Sequence, residues 1–321
     1  MAMNFKQQIL QMQKYGGVRL MVQYARMGLL GRIVKEVACT LIKHRPLKRV
    51  YYVVNDMVAP RLLKKYEGLL DERAHTYFQQ EAENGSSCEE KRVIWFCWLQ
   101  GEEQMPPIVR ACFNSLHHHI TDRKICFVDG NNWSDYVNVP AELVEKYRKG
   151  YMPAAHFSDI LRLQLLIRYG GTWIDATVLC AGAFPAAYLD ADLFYYQYQG
   201  GKGLTNWFLT SRPRHPLLMA VRDGLYAYWH EYDVVVHYFM FHLFLSHLLR
   251  RYPLISKAVP YAEGTHALSL VHHWHLPFHA ASWEKAVEWI PFHKLNWRVS
   301  KKVAADSQNY YNHILQMMGV S

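Results

Sequence analysis

The chain has none of the usual marks of a secreted or membrane-spanning protein. Its six cysteines (Cys39, Cys88, Cys97, Cys112, Cys126 and Cys180) form no Cys-x-x-Cys pair, which argues against structural zinc and against a disulfide framework. Cys97 and Cys126 fall inside strand-like apolar runs, where a free thiol behaves as a small apolar side chain, so a reducing compartment is expected. No apolar segment with a small-residue cleavage site follows the basic start, and no secretory leader is expected. The longest apolar run, Val234 to Leu249, is interrupted by His237, His242, Ser246 and His247. It is too short to span a bilayer and reads as a core helix. The histidine groups His117–His119 and His272, His273 and His275 have neither the i,i+4 helix spacing nor the cysteine companions of a metal site, and read as solvated or satisfied side chains. There is no internal repeat and no low-complexity tract.

The 321 residues can bury a full core, and they carry 10 Trp, 22 Tyr and 14 Phe; most of these rings belong in that core. The net charge of +9 is placed unevenly. Residues 1–50 hold Lys6, Lys14, Arg19, Arg26, Arg32, Lys35, Lys43, Arg45, Lys48 and Arg49 against the single acid Glu36, so the whole excess lies there. No nucleic-acid motif accompanies it, and no nucleic-acid partner is expected. Leu, Ile, Val and Met interleave with the charges, which is the pattern of a basic amphipathic helix on an anionic membrane surface. A solvated face packed on a neighbouring domain is the alternative.

Residues 1–80 read as helices, with Pro46 and Pro60 as breakers. The polar stretch 81–90 is the linker candidate. Arg92 to Leu99 reads as a buried strand, Ile108 to His118 as a helix, and Lys124 to Asp129 as a second buried strand closed by Gly130-Asn131-Asn132. Strand, helix, strand in succession argues for a parallel sheet of α/β class, with ligands bound at the strands' carboxyl ends. Trp98, Gln100, Asp129 and Asn131 would stand there. Two domains are expected: a basic helical region over 1–90 and a catalytic domain over 91–321.

The chemistry concentrates between Ser158 and Leu179. Ser158 can cap a helix that Gly170-Gly171 ends in a left-handed turn. Asp159 and Arg162, three apart, share a face of that helix. The run Thr172-Trp-Ile-Asp-Ala-Thr-Val-Leu179 then reads as a strand with Asp175 at its centre. A carboxylate among such neighbours needs a partner, and a divalent metal bridging to a diphosphate is one.

Ser-Asp-Ile-Leu-Arg followed by Tyr-Gly-Gly-x-Trp-Ile-Asp-x-Thr resembles the capsular polysaccharide synthesis proteins of glycosyltransferase family 32, which are distantly similar to the glucosylating clostridial toxins. The resemblance covers roughly Val93 to Trp297. It implies a GT-A fold, a Rossmann-like nucleotide-sugar-binding arrangement, and transfer with retention of anomeric configuration. By position, Trp98 and Asn131 match base contacts and Ser158 a nucleotide contact. Asp159 and Arg162 match the pair gripping the donor sugar, Trp173 flanks the sugar-phosphate, and Asp175 is the first carboxylate of the Asp-x-Asp motif. The second is Thr177 here, a poorer metal ligand. Ile290 to Trp297 resembles the family's His-Lys-Leu ending, which brings His293 to the metal or diphosphate and Lys294 to the leaving group.

The expectation is thus a metal-dependent (Mn²⁺ or Mg²⁺) hexosyltransferase acting from a nucleotide sugar, UDP-hexose by resemblance, on a capsular or other surface polysaccharide acceptor, lipid-linked. It would be cytoplasmic and peripheral at the inner face of the bacterial cytoplasmic membrane. The first rival is a non-catalytic scaffold of a polysaccharide assembly complex that keeps the fold and has lost metal affinity through Thr177. The second is a nucleic-acid-binding protein driven by the basic N-terminus; the charge lies outside the region of the motif, which counts against it.

Overall fold

A computed structural model describes residues 17–44, 48–85, 92–183, 185–198 and 203–320. Lys6, Lys14, Arg45, Pro46, Cys88 and the second half of the linker candidate, 86–90, lie outside them. In chain order the elements are α1 (Gly17–Arg26), α2 (Leu30–Ile42), α3 (Lys48–Asn84), β1 (Val93–Cys97), α4 (Pro107–His119), β2 (Lys124–Val128), α5 (Trp133–Tyr136), α6 (Ala141–Arg148) and α7 (Ala154–Tyr169). There follow β3 (Gly171–Asp175), β4 (Val178–Cys180), α8 (Ala186–Leu189), β5 (Leu193–Gln197), β6 (Leu204–Ser211), α9 (Pro216–Glu231) and α10 (Met240–Arg251). The chain closes with α11 (Pro253–Ala258), α12 (Ser269–His273), α13 (Ala280–Trp289), β7 (Phe292–Lys294), α14 (Lys301–Ala305) and α15 (Tyr310–Met317).

These elements form two compact units. The sequence reading puts a single boundary at residue 90, whereas the first unit takes in 139–160 and 219–251 in addition to 1–83. Within it, α3 presents Val54, Val58, Leu62, Tyr66, Leu70 and Ala74 as one buried stripe, the four-residue spacing of an amphipathic helix. Pro60 does not break α3, contrary to expectation. Pro60 is exposed, and so is Asp56, whose carbonyl loses its donor, so water can replace the missing hydrogen bond. Of the expected core helix over 234–249, only the part from Met240 is helical; its inner face buries Phe241, Phe244, Leu245 and Leu248.

The second unit comprises 84–138, 161–218 and 252–321. Its five-stranded sheet has the order β2-β1-β3-β6-β5, and β4 and β7 form a separate two-stranded ladder. β1 pairs in parallel with β2 and β3, while β6 runs antiparallel to β3 and β5. The sheet is therefore mixed, and its parallel half carries the expected β-α-β order. Ile94, Phe96, Ile174, Phe194 and Phe208 are fully buried on one face of the sheet, in a core cluster with Phe292 of β7. Trp95 and Trp173 are buried on the other face, the two-sided burial of an α/β sheet. No described helix is long and apolar enough to cross a membrane.

Two local expectations over 158–179 change. Ser158 does not cap α7, which begins four residues earlier; its hydroxyl donates back to the Ala155 carbonyl at 2.8 Å, the usual resort of a mid-helix serine. The expected continuous strand stops at Asp175, turns through Ala176-Thr177 and restarts as β4, so the carboxylate stands at a strand end. The left-handed turn is present: Gly170 and Gly171 have φ of +67° and +88°. A Cβ on Gly171 would lie 2.3 Å from the Val93 carbonyl oxygen, so only glycine lets β3 leave α7 this close to β1.

Candidate functional site

Parallel pairing places the ends of three strands side by side. The Cys97 Cα pairs with Asp175 and the Val128 Cα with Cys97. Trp98, Asp129 and Asn131 on the loops after β1 and β2 and Asp175 at the end of β3 therefore share the carboxyl edge of the sheet, where α/β proteins bind ligands. The β4–β7 ladder sets Lys294 opposite Val178, and the Leu295 amide donates to the Thr177 carbonyl at 2.7 Å. A residue 119 positions away in sequence thereby reaches Asp175.

Asp175 is the hub. Its Oδ1 accepts from Arg162 Nη2 at 2.9 Å and from Trp173 Nε1 at 2.8 Å, and its Oδ2 accepts from Lys294 Nζ at 2.9 Å. Lys294 Nζ also donates to Thr177 Oγ1 at 2.6 Å. The Arg162 guanidinium lies over the Trp173 ring at 4.8 Å, a cation–π contact. Burial by itself would raise the Asp175 carboxyl, but the Lys294 ammonium and the Arg162 guanidinium outweigh it and hold the group at about 2. Asp175 is thus ionised at any ordinary pH, between two cations. Cys97 beside it is no nucleophile: burial pushes its thiol up to about 12.

The structure thus gathers Arg162, Trp173, Asp175, Thr177 and Lys294 in one cluster. Trp173 is wholly buried and serves as platform and hydrogen-bond donor, where the resemblance put it against the sugar-phosphate. Asp159 and Ser158 stand on the first half of α7, in the first unit; Asp159 is buried. His293 departs from the expectation. Side chains alternate along a strand, so with Lys294 turned to Asp175 the neighbouring His293 faces the other way. It is fully buried near the Trp283 ring, neither ring nitrogen has a hydrogen-bond partner, and burial pushes it down to about 4. It is a neutral packing residue and no partner of Asp175.

Trp98 is half-buried, its indole N–H donating to the Gln104 carbonyl at 3.2 Å. Its ring meets Trp297 edge to face at 6.0 Å. The sequence reading missed Trp297, which is 44% exposed; its place in the family-like ending beside Lys294 was the available signal. Asn131 projects from a loop in which Asp129 Oδ1 accepts from the Asn131 and Asn132 amides at 2.8 and 3.0 Å.

The donor set does not fit a divalent cation. At a nucleotide site Mn²⁺ or Mg²⁺ takes one or two free carboxylates from the protein and fills its other oxygen positions with water and phosphates. The cluster offers one carboxylate, already engaged by two cations and an indole N–H, and one hydroxyl engaged by the same lysine. No group of three or more His, Cys, Asp or Glu among the described residues is arranged to hold a metal.

The family model for capsular polysaccharide synthesis proteins matches residues 40–314. This chain belongs to that family. It is also similar to the O-glycosyltransferase PaGT of Phomopsis amygdali, at 24% identity over 199 residues that cover 56% of this chain and 46% of that protein. The family member thus spans about half the length of this curated relative. Among solved structures it resembles the PaToxG glycosyltransferase at 13% identity, covering 83% of this chain and 98% of that one with a TM-score of 0.37.

Proposed function

We propose that this protein is a retaining glycosyltransferase of GT-A type. It would move a hexose from a nucleotide diphosphate sugar, UDP-hexose by resemblance, to a capsular or other surface polysaccharide acceptor carried on a lipid. The observation that carries the reading is the Arg162–Asp175–Lys294 cluster at the carboxyl end of β3, in a chain of the capsular polysaccharide synthesis family. Arg162 and Lys294 place two N–H-donating cations beside Asp175 at the edge where a diphosphate is expected. The name of the fungal relative supports the same reaction class.

In the reaction the bond from the sugar's anomeric carbon to the diphosphate oxygen breaks. A bond from the acceptor oxygen to that carbon forms on the same face, and the acceptor proton passes to the departing phosphate oxygen. Lys294 and Arg162 offset the charge that develops on the leaving group, a preorganised electrostatic contribution. Trp98 and Trp297 supply aromatic surface for the base, and Asp159 takes a donor-sugar hydroxyl. No protein nucleophile is required. Incubation with a panel of nucleotide sugars, with free nucleotide as the readout, tests this: turnover with one donor is expected. Release from none of them would favour the scaffold reading.

The protein is further proposed to sit at the inner, anionic face of the cytoplasmic membrane. Leu30, Val34 and Leu41 lie four and seven residues apart on α2, exposed, while Ile33 and Thr40 form its buried side. Val34 is 63% and Ile42 75% exposed. Arg32, Lys35 and Lys43 flank these residues, and α1 adds Arg19, Arg26 and an exposed Val18. Apolar side chains left in water beside cations fit an anionic bilayer surface.

A further inference from the structure

The Asp-x-Thr motif and Lys294 are two halves of one exchange. In a two-carboxylate motif the cation sits between the carboxylates and bridges to the diphosphate. Here the second position is Thr177, and the space between Asp175 and Thr177 is already spanned by a cation: Lys294 Nζ lies 2.9 Å from Asp175 Oδ2 and 2.6 Å from Thr177 Oγ1. A threonine hydroxyl is a weak ligand for a hard divalent ion, but a good acceptor for an ammonium N–H.

The lysine is held by the fold and is not a loose surface side chain. β7 pairs with β4 in a register that sets Lys294 against Val178, and its neighbour Phe292 is fully buried. The Lys294 and Asp175 side chains are 23% and 24% exposed, so the pair remains accessible to a ligand. An ammonium has three N–H donors. Asp175 and Thr177 take two, and the third is available to a phosphate oxygen. Arg162 holds the other oxygen of Asp175, so the carboxylate has a cation on each oxygen. A divalent ion entering here would have to displace the ammonium and would meet a second cation.

We propose that Lys294 is the built-in cation of this diphosphate site, so that nucleoside diphosphate binding needs no divalent metal. Asp175 and Thr177 position the ammonium rather than coordinate an ion. The proposal rests on the reading of this edge as a nucleotide-sugar site.

The test is calorimetric titration of the full chain with UDP, and with GDP as second probe, in EDTA and in Mn²⁺. Affinities in the two conditions should agree within about threefold, since no metal ligand is lost. Lys294→Met keeps the apolar stem and should weaken diphosphate binding in EDTA by about tenfold or more, the loss of one charge-assisted hydrogen bond. It should leave binding of the phosphate-free nucleoside unchanged, which also shows that the variant folds. The double variant Thr177→Asp/Lys294→Met restores a second carboxylate and removes the ammonium, and its diphosphate binding should become Mn²⁺-dependent. Binding by the wild-type chain that vanishes in EDTA and returns with Mn²⁺ would overturn the proposal while leaving the nucleotide-sugar reading intact. Absence of binding by either probe in both conditions would overturn both.

Discussion

Replacing Asp175 by Asn tests the cluster without reference to any ligand. The substitution keeps the shape of the side chain but removes the negative charge that Arg162 and Lys294 share. The wild-type carboxyl is held at about 2 against an ordinary 3.8, which corresponds to about 2 kcal/mol of folded-state preference for the ionised form. A depressed carboxyl contributes stability that is complete above its unfolded value, near 4, and is lost as pH falls through its folded value, near 2. At pH 7 the variant should therefore be less stable by about 2 kcal/mol or more, since the buried pairs also lose one partner. Equilibrium urea unfolding of both proteins supplies the number. The difference should hold from pH 7 to about pH 5 and shrink only towards about pH 3. A variant within about 0.5 kcal/mol of wild type at pH 7 would mean that the ion pairs are screened by solvent and do not organise the site.

Three further outcomes are expected. Gly171→Ala should cost more than about 2 kcal/mol in thermal or urea unfolding, because the residue holds φ +88° and a Cβ would press on the Val93 carbonyl; a neutral substitution would disprove the close approach of β3 to β1. Asp159→Ala should reduce sugar transfer by about a hundredfold or more while changing free UDP affinity by less than about threefold; equal losses in turnover and calorimetry would make Asp159 a structural residue. Wild-type protein should co-sediment with anionic vesicles at low salt and be released by high salt, since exposed charges are screened over about 10 Å at 0.1 M. Val34→Asp/Ile42→Asp should weaken that binding, and unchanged sedimentation of the variant would remove the apolar part of the membrane reading.

What was legible in the sequence follows how locally each feature is encoded. The strand–helix–strand order from Val93 to Val128 is written in short apolar runs closed by polar loops, and the structure keeps it. Gly170-Gly171 is legible for the same reason, since a backbone turn of this kind depends on the two residues that make it. The start of α7 was misread because a serine before an apolar run resembles a cap. The helix instead begins one turn earlier, behind Pro153, and Ser158 satisfies its hydroxyl within it. Pro60 was misread because a helix breaker costs little where the freed carbonyl lies on the wet side of a long, well-buried helix.

The site divides along the same line. Arg162, Trp173, Asp175 and Thr177 lie within sixteen positions, and their spacing marked them together. Which partners they choose was not legible there. Arg162 donates to Asp175, thirteen positions later and on a different element. The pairing of β4 with β7 decides that Lys294, and not His293, meets the carboxylate. In a strand, neighbouring residues face opposite ways, so moving the register by one position would put the imidazole at Asp175 and bury the ammonium. A buried ammonium without a partner costs several kcal/mol, whereas a buried neutral imidazole costs far less. That difference selects the observed register: His293 tolerates the dry side as the neutral ring that burial imposes on it, and Lys294 does not. The cation at Asp175 is thus fixed by the same energetics that fold the β4–β7 ladder.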